Sequence, residues 1–244
     1  MKKIDITSNI RPALDNKDLN ILTSGAFAAP LFEIIKSYKK NKSIKLYFGS
    51  SFGSAKNSVP TRLNQKQVFD IIFLSSDAFS QLQKKKLIKN YTKLDIVDSE
   101  IGFAVKKNRK VDYDYGKFQF VQLIKQSKKI AIAASVSGIY LKKEVFPKLK
   151  IKNFHIIKGK RIGSVIAEDK QFDLGFQQFS ELLPFKNKIN LIGTLPPALK
   201  KRFVFSLAYQ KTNDKVDKIN SFLKLLKTKR VSSIIKKKGL TPIV

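Results

Sequence analysis

Short runs of serine and glycine follow several apolar stretches of this chain. The runs are Ser24 with Gly25, residues 49–54 (GSSFGS), Ser75 with Ser76, and residues 135–138 (SVSG). Serine hydroxyls and the free N–H groups at a helix start are donors that hold anions. Each run could equally be a helix cap followed by a turn glycine. Their recurrence at matching places favours an anion-binding site.

The elements around these runs alternate between strands and helices. We predict strands at 19–23, 44–48, 68–75, 101–105, 130–134, 154–157, 172–177, 189–192 and 202–209. We predict helices after the serine runs, including one at 78–87, one starting near residue 162, and two at 214–226 and 231–238. This alternation predicts an α/β fold with mostly parallel sheets. The carboxyl ends of such strands meet helix starts, where α/β proteins bind ligands.

The bulk composition fits one large domain or two small ones. The chain has 244 residues, of which 43% are apolar, and it has no cysteine. No apolar run approaches the length that a membrane span needs, so no membrane insertion is expected. The first 18 residues lack the apolar core of a secretory signal. The chain is therefore expected to be either a mature form that starts at a replacement Met1 or a protein that is never exported.

The net charge of +31 raises the possibility of nucleic-acid binding. The lysines, however, are spread along the whole chain in twos and threes, without an aromatic cluster or finger spacing. We interpret them as a solvated cationic surface with no specific nucleic-acid partner. Non-specific binding of polyanions at low salt is still expected.

Other chemistry has little support in the sequence. His155 lies in a predicted strand, and Asp112 with Asp114 fits a turn better than a metal pair. Motifs of metallopeptidases, P-loop NTPases and serine hydrolases are absent. We expect no metal and no cofactor.

Two segments carry a resemblance to a known family. They are LGFQQFSELLP (174–184) and GSSFGSAKNSVPTRL (49–63), with weaker support from TSGAF (23–27) and SVSGIYLKKEVFPKL (135–149). In these motifs the chain resembles the type II periplasmic solute-binding proteins of the molybdate-binding branch. It is most similar to the subgroup that includes a periplasmic aconitate isomerase.

The resemblance implies two α/β lobes with a ligand cleft between them. Lobe one would be 1–101 plus 206–244, with 1–18 as an extension, and lobe two would be 102–205. The strands that cross between the lobes would lie near 101–105 and 203–209. A monomeric, periplasmic protein is implied, which captures a small anion, an oxyanion or a di- or tricarboxylate, for an ABC-type transporter permease.

The resemblance also implies the site residues. The expected ligand-binding residues are Ser24, Gly25, Ser50, Ser51, Phe52, Ser75, Ser76, Ser135, Ser137, Arg161, Ile162, Gly163, Gln177 and Gln178. Gln178 stands where the molybdate relatives have tyrosine, which favours a carboxylate ligand. The alternative function is an isomerase similar to aconitate isomerase that transfers an allylic proton, with Glu181 or Tyr140 as the catalytic group.

Overall fold

A computed structural model describes residues 18–38, 43–210 and 214–243, together with the backbone of residues 6 and 7. The strands are β1 (Ile6–Thr7), β2 (Leu19–Thr23), β3 (Ile44–Phe48), β4 (Ile71–Ser75), β5 (Tyr91–Ser99), β6 (Ile101–Lys106), β7 (Ile130–Ala133), β8 (Phe154–Ile157), β9 (Leu174–Gln178), β10 (Ile189–Thr194), β11 (Phe203–Gln210) and β12 (Thr241–Pro242). The helices are α1 (Gly25–Lys36), α2 (Val59–Asn64), α3 (Ser76–Lys84), α4 (Lys117–Lys125), α5 (Val136–Tyr140), α6 (Ile162–Glu168), α7 (Phe179–Leu182), α8 (Val216–Leu226) and α9 (Lys229–Lys237). The predicted α/β class is confirmed.

Internal contacts divide the chain into two compact units. The first unit comprises residues 1–98 and 203–244, and the second unit comprises residues 99–202. The family resemblance placed the two boundaries at 101/102 and 205/206. None of the helices in the described ranges is both long enough and apolar enough to cross a bilayer.

The first unit is built on a seven-stranded sheet in the order β1-β3-β2-β4-β11-β5-β12. Strands β1, β3, β2 and β4 are parallel, whereas β11 is antiparallel to β4 and β12 is antiparallel to β5. Every residue of β2 and β4 is buried, which explains why both strands are mainly apolar in sequence. The chain leaves β2 for β3 on one side and then crosses to β4 on the other. The carboxyl edge at this reversal is where such sheets bind ligands.

The second unit repeats this plan in a five-stranded sheet with the order β10-β6-β9-β7-β8. Strands β8, β7 and β9 are parallel, and β6 runs antiparallel to both β9 and β10. The ring of Phe176 lies at the centre of the core, within about 6 Å of the rings of Phe103, Phe120 and Phe146. Both sheets are thus mixed, and their parallel strands are the ones that the serine runs follow.

A buried ion pair fastens α8 to the amino-terminal edge of the first sheet. Lys215 Nζ lies 3.1 Å from Asp70 Oδ2 and also donates to the Asp18 carbonyl at 2.8 Å. Asp70 Oδ2 accepts the Asn20 N–H at 2.7 Å. Because this cluster precedes β2 and β4, it lies at the edge opposite the serine runs and serves the fold.

Several elements differ from the sequence-based expectations. Strand β5 and helix α4 lie in stretches for which the sequence predicted no element. The predicted strand over 68–75 begins only at Ile71, and Val68 is exposed. The predicted helix at 78–87 instead begins at Ser76 and ends at Lys84.

Candidate functional site

In the first unit, three parallel strands bring the serine runs to one edge. Thr23, the last residue of β2, is level with Phe48 on β3 and with Phe73 on β4. Its carbonyl accepts the Gly49 N–H at 3.0 Å, and the Ser24 N–H donates to the Phe73 carbonyl at 3.3 Å. The loops that follow β2, β3 and β4 therefore begin side by side.

Two buried serines at this edge keep hydroxyl protons for another acceptor. Ser24 precedes α1, which starts at Gly25, and its side chain makes no capping hydrogen bond. Ser75 precedes α3, and its oxygen accepts the Ala78 N–H at 3.3 Å. A hydroxyl that accepts in this way still has its proton to donate. Both side chains fit the role of anion donors.

Two other serines of the predicted site donate their hydroxyl protons to acceptors within the protein. Ser50 Oγ donates to the Phe52 carbonyl at 2.9 Å. Ser206 Oγ donates to Asp95 Oδ1 at 2.6 Å, so it must accept the proton of Ser76 Oγ, 2.7 Å away. Ser76 can therefore offer a ligand only lone pairs in this arrangement.

Two residues that were not predicted as part of the site hold the loop of residues 49–58 in place. Ser58 is fully buried, accepts the Thr61 N–H and starts α2. The buried guanidinium of Arg62 donates from Nε to the Asn57 carbonyl and from Nη1 to Gln67 Oε1. Ser58 was recognisable as a helix cap because proline follows two residues later. Within the loop, Ser51 is half-buried and Phe52 packs against the core.

In the second unit, the serine run after β7 lies beside the ends of β8 and β9. Ala133 is level with Ile157 on β8, and Ile132 is level with Phe176 on β9. Ser135 Oγ and Ser137 Oγ are 2.9 Å apart, so one of the two protons remains for an outside acceptor. A Cβ at Gly138 would lie 1.8 Å from the Ala133 carbonyl oxygen. Only glycine allows α5 to start this close to β7.

Gln177 joins the start of α6 to Glu181. Its Oε1 accepts the Ile162 N–H at 2.9 Å, and its side chain hydrogen-bonds the Glu181 carboxyl. Burial raises the pKa of Glu181 to about 7, while the Gln177 hydrogen bond and the positive charge of Arg161 act in the opposite direction. Gly163, next on α6, packs so closely that a Cβ would lie 2.3 Å from the Phe185 ring. The Ile162 N–H and the Gln177 side-chain oxygen, both of residues predicted to bind the ligand, are thus hydrogen-bonded to each other.

Gln178 differs from its neighbour because half of its amide is unpaired. Its Oε1 accepts a hydrogen bond from Ser99 Oγ at 2.8 Å. In the part of the chain that the structure describes, Gln178 Nε2 is the one buried side-chain nitrogen or oxygen without a hydrogen-bond partner. Such a group calls for an explanation, since an unsatisfied buried donor is costly. A bound acceptor would satisfy it.

Tyr140 is poorly arranged to act as a base. Its hydroxyl donates to the Leu199 carbonyl at 3.1 Å, and the Lys201 ammonium lies 5.3 Å from its ring centre. Burial raises its pKa, and the charge of Glu144 raises it further. Glu181, with a pKa near neutrality, is the better candidate for proton transfer.

Comparisons with known proteins agree with this architecture. An aconitate isomerase from a Pseudomonas species is 25% identical over 232 residues, covering 92% of this chain and 88% of that protein. Among solved structures, the periplasmic molybdate-binding protein of Azotobacter vinelandii superposes with a TM-score of 0.65 at 18% identity, covering 92% of this chain and 99% of that chain.

A second solved relative, Peb3 from Campylobacter jejuni, gives a TM-score of 0.69 at 15% identity over the same shares of the two chains. Another Peb3 structure contains L-phospholactate and gives a TM-score of 0.66, again at 15% identity with 92% and 99% covered. The family model described as bacterial extracellular solute-binding protein matches residues 19–241. The chain therefore belongs to the bacterial extracellular solute-binding protein family.

Proposed function

We propose that this protein captures a small organic anion bearing carboxylate groups. The observation that carries the proposal is the unpaired Nε2 of Gln178, a buried donor at the carboxyl edge of the parallel strands. An anionic oxygen would satisfy it, and a hydrogen bond to a charged partner is about twice as strong as a neutral one. Neither a metal nor a cofactor has a part in this binding.

Further donors support the same ligand class. Within the second unit, the Ser135–Ser137 pair keeps one hydroxyl proton for an outside acceptor. At the corresponding edge of the first unit, taken by itself, Ser24 and Ser75 are donors of the same kind. Arg161 precedes α6 and can add a bidentate contact to a carboxylate. One relative is named for molybdate and another was crystallised with L-phospholactate, which carries both a carboxylate and a phosphate.

Family membership supports a role in uptake. Solute-binding proteins of ABC-type transporters collect their ligand outside the cytoplasmic membrane, as the extracellular description of the family implies. We place this protein there as a monomer that delivers its anion to a transporter permease.

A thermal-shift panel tests the proposal. Citrate, cis- and trans-aconitate, phosphate, sulfate, molybdate and tungstate are each added to the whole protein. An anion at a hundredfold its Kd should add about 2.7 kcal/mol to the unfolding free energy and raise the Tm by several degrees. If no anion raises the Tm, the anion-binding proposal is wrong.

A second candidate function is isomerisation of aconitate. It is favoured by the similarity to an aconitate isomerase and by a glutamate with a pKa of about 7 next to Gln177 and Arg161. Glu181 would remove a methylene proton beside a carboxylate and return it at the other allylic carbon, while N–H and hydroxyl donors stabilise the charge.

Proton NMR of trans-aconitate in deuterated water separates the two functions. An isomerase would produce the cis isomer or incorporate deuterium, and Glu181→Gln would abolish both while retaining binding. Tight binding with neither deuterium exchange nor the cis isomer over hours would exclude turnover.

A further inference from the structure

Ser99 and Gln178 form a buried pair at the start of the second unit. Each side chain is 1% exposed. The two residues are 79 positions apart in sequence, yet Ser99 Oγ donates to Gln178 Oε1 at 2.8 Å. Strand β6 follows Ser99 almost at once and pairs with β9, where Ile101 is level with Gln178. The two sheet strands thus fix both backbones.

The direction of this hydrogen bond decides what the amide presents. A glutamine amide has an acceptor end and a donor end, and a hydroxyl can bond to either. With the oxygen held by Ser99, the two hydrogens of Nε2 are the free groups. In the flipped orientation Ser99 would accept from the nitrogen, and the free group would be an oxygen that repels an anion, so an anionic ligand favours the orientation in which Ser99 donates.

We propose that Ser99 is a positioning residue that holds the buried Gln178 amide in place through its oxygen and leaves Nε2 for a ligand acceptor. The inference rests on the proposed function and deepens it. Nε2 then offers its N–H groups to the ligand, and a charged oxygen such as that of a carboxylate accepts them more strongly than a neutral oxygen does.

Neighbouring Gln177 provides the contrast. Its oxygen accepts the Ile162 N–H, and its side chain also hydrogen-bonds Glu181. The two adjacent buried glutamines therefore differ. The Gln177 side chain bonds to groups within the protein, whereas Nε2 of Gln178 remains free to donate to a ligand.

Titration calorimetry with citrate and with trans-aconitate tests the donor end. Gln178→Glu keeps an oxygen for Ser99 and replaces the free N–H₂ by a second oxygen, so affinity should fall at least about a hundredfold. Ser99→Ala should weaken binding about tenfold because the amide is no longer held, whereas Ser99→Thr, which keeps the hydroxyl, should stay close to wild type.

A double-mutant cycle tests whether Ser99 acts through Gln178. In a Gln178→Leu background, Ser99→Ala should cause no further loss of affinity. An equal loss in both backgrounds would mean that Ser99 acts independently and would overturn the proposal. So would a Ser99→Ala variant that binds as tightly as wild type.

Urea unfolding without any ligand tests whether Nε2 is unpaired, and this test does not depend on the proposed function. The Ser99→Ala/Gln178→Leu protein lacks the whole polar pair, so its unfolding midpoint should equal or exceed that of wild type. A clearly lower midpoint would show that Nε2 has a partner within the protein and would refute the inference. If instead the wild type binds no anion, the proposed function fails, and the unfolding midpoint still decides whether Nε2 is unpaired.

Discussion

Ionisation of the Glu181 carboxyl lowers the stability of the folded protein. Its pKa rises from 4.5 to about 7, chiefly because burial disfavours the charged form. The folded state therefore binds this proton more tightly than the unfolded state does. The stability associated with Glu181 is fully present below about pH 4.5, is lost as the pH rises to about 7, and is constant above that.

Glu181→Gln removes this pH dependence. At pH 8 the variant should be more stable than wild type by on the order of 3 kcal/mol, and at pH 4 the two should be equal. Urea unfolding at a series of pH values measures the difference. Glu168→Gln, at an exposed position of the same unit, is the control and should show no such trend. A constant difference across the pH range would contradict the assignment.

The ammonium of Lys215 balances the charge of the buried Asp70 carboxylate. Lys215→Met leaves the charge of Asp70 without its ammonium partner, and unfolding free energy should fall by about 3–5 kcal/mol. Asp70→Asn combined with Lys215→Met should recover most of that loss. Lys224→Met, an exposed change on the same helix, is the control. A Lys215→Met protein within about 1 kcal/mol of wild type would show that the pair contributes little.

At the scale of elements, Gly163 sets how closely α6 packs against Phe185. Gly163→Ala forces a Cβ against the ring and should cost about 1–3 kcal/mol of unfolding free energy. Phe185→Leu should reduce this cost when the two changes are combined. Ser164→Ala, one position along α6, is the control for the helix itself. Equal costs of Gly163→Ala with Phe185 and with Leu at 185 would rule out the contact as the cause.

The elements whose bounds were predicted correctly are those in which apolar residues follow one clear pattern. Strands β2, β3 and β8 have the predicted bounds, because apolar residues fill or alternate through them and turn residues flank them. Helix α4 was missed although Phe120, Leu123 and Ile124 have helical spacing. The stretch before it, residues 106–116, is basic and rich in turn residues, which hides the start of the helix. Strand β5 is only partly buried, so its polar residues concealed the pattern.

The sequence predicts where the residues of the candidate site lie along the chain, but it does not predict their hydrogen bonds. Serine and glycine at strand ends are visible in the sequence, but the direction of each hydroxyl proton depends on partners far along the chain. Ser76 is engaged by Ser206, and Gln178 by Ser99. These pairings arise from sheet topology, which short motifs do not encode.

At the scale of the whole molecule, the net charge of +31 should act through its long-range field. The association rate of citrate should be highest at low salt and should fall as salt screens the lysines. Stopped-flow measurements between roughly 20 and 300 mM salt test this. An association rate that is indifferent to salt would show that the cationic surface does not steer the ligand.

We expect this solute-binding protein to take a carboxylate-bearing anion in preference to a tetrahedral oxyanion. Titration calorimetry of the whole protein with citrate, trans-aconitate and molybdate tests it most directly. The unpaired Nε2 of Gln178 and the guanidinium of Arg161 predict saturable one-to-one binding of a carboxylate, with molybdate bound more weakly. Tight binding of molybdate with no binding of either tricarboxylate would contradict the claim.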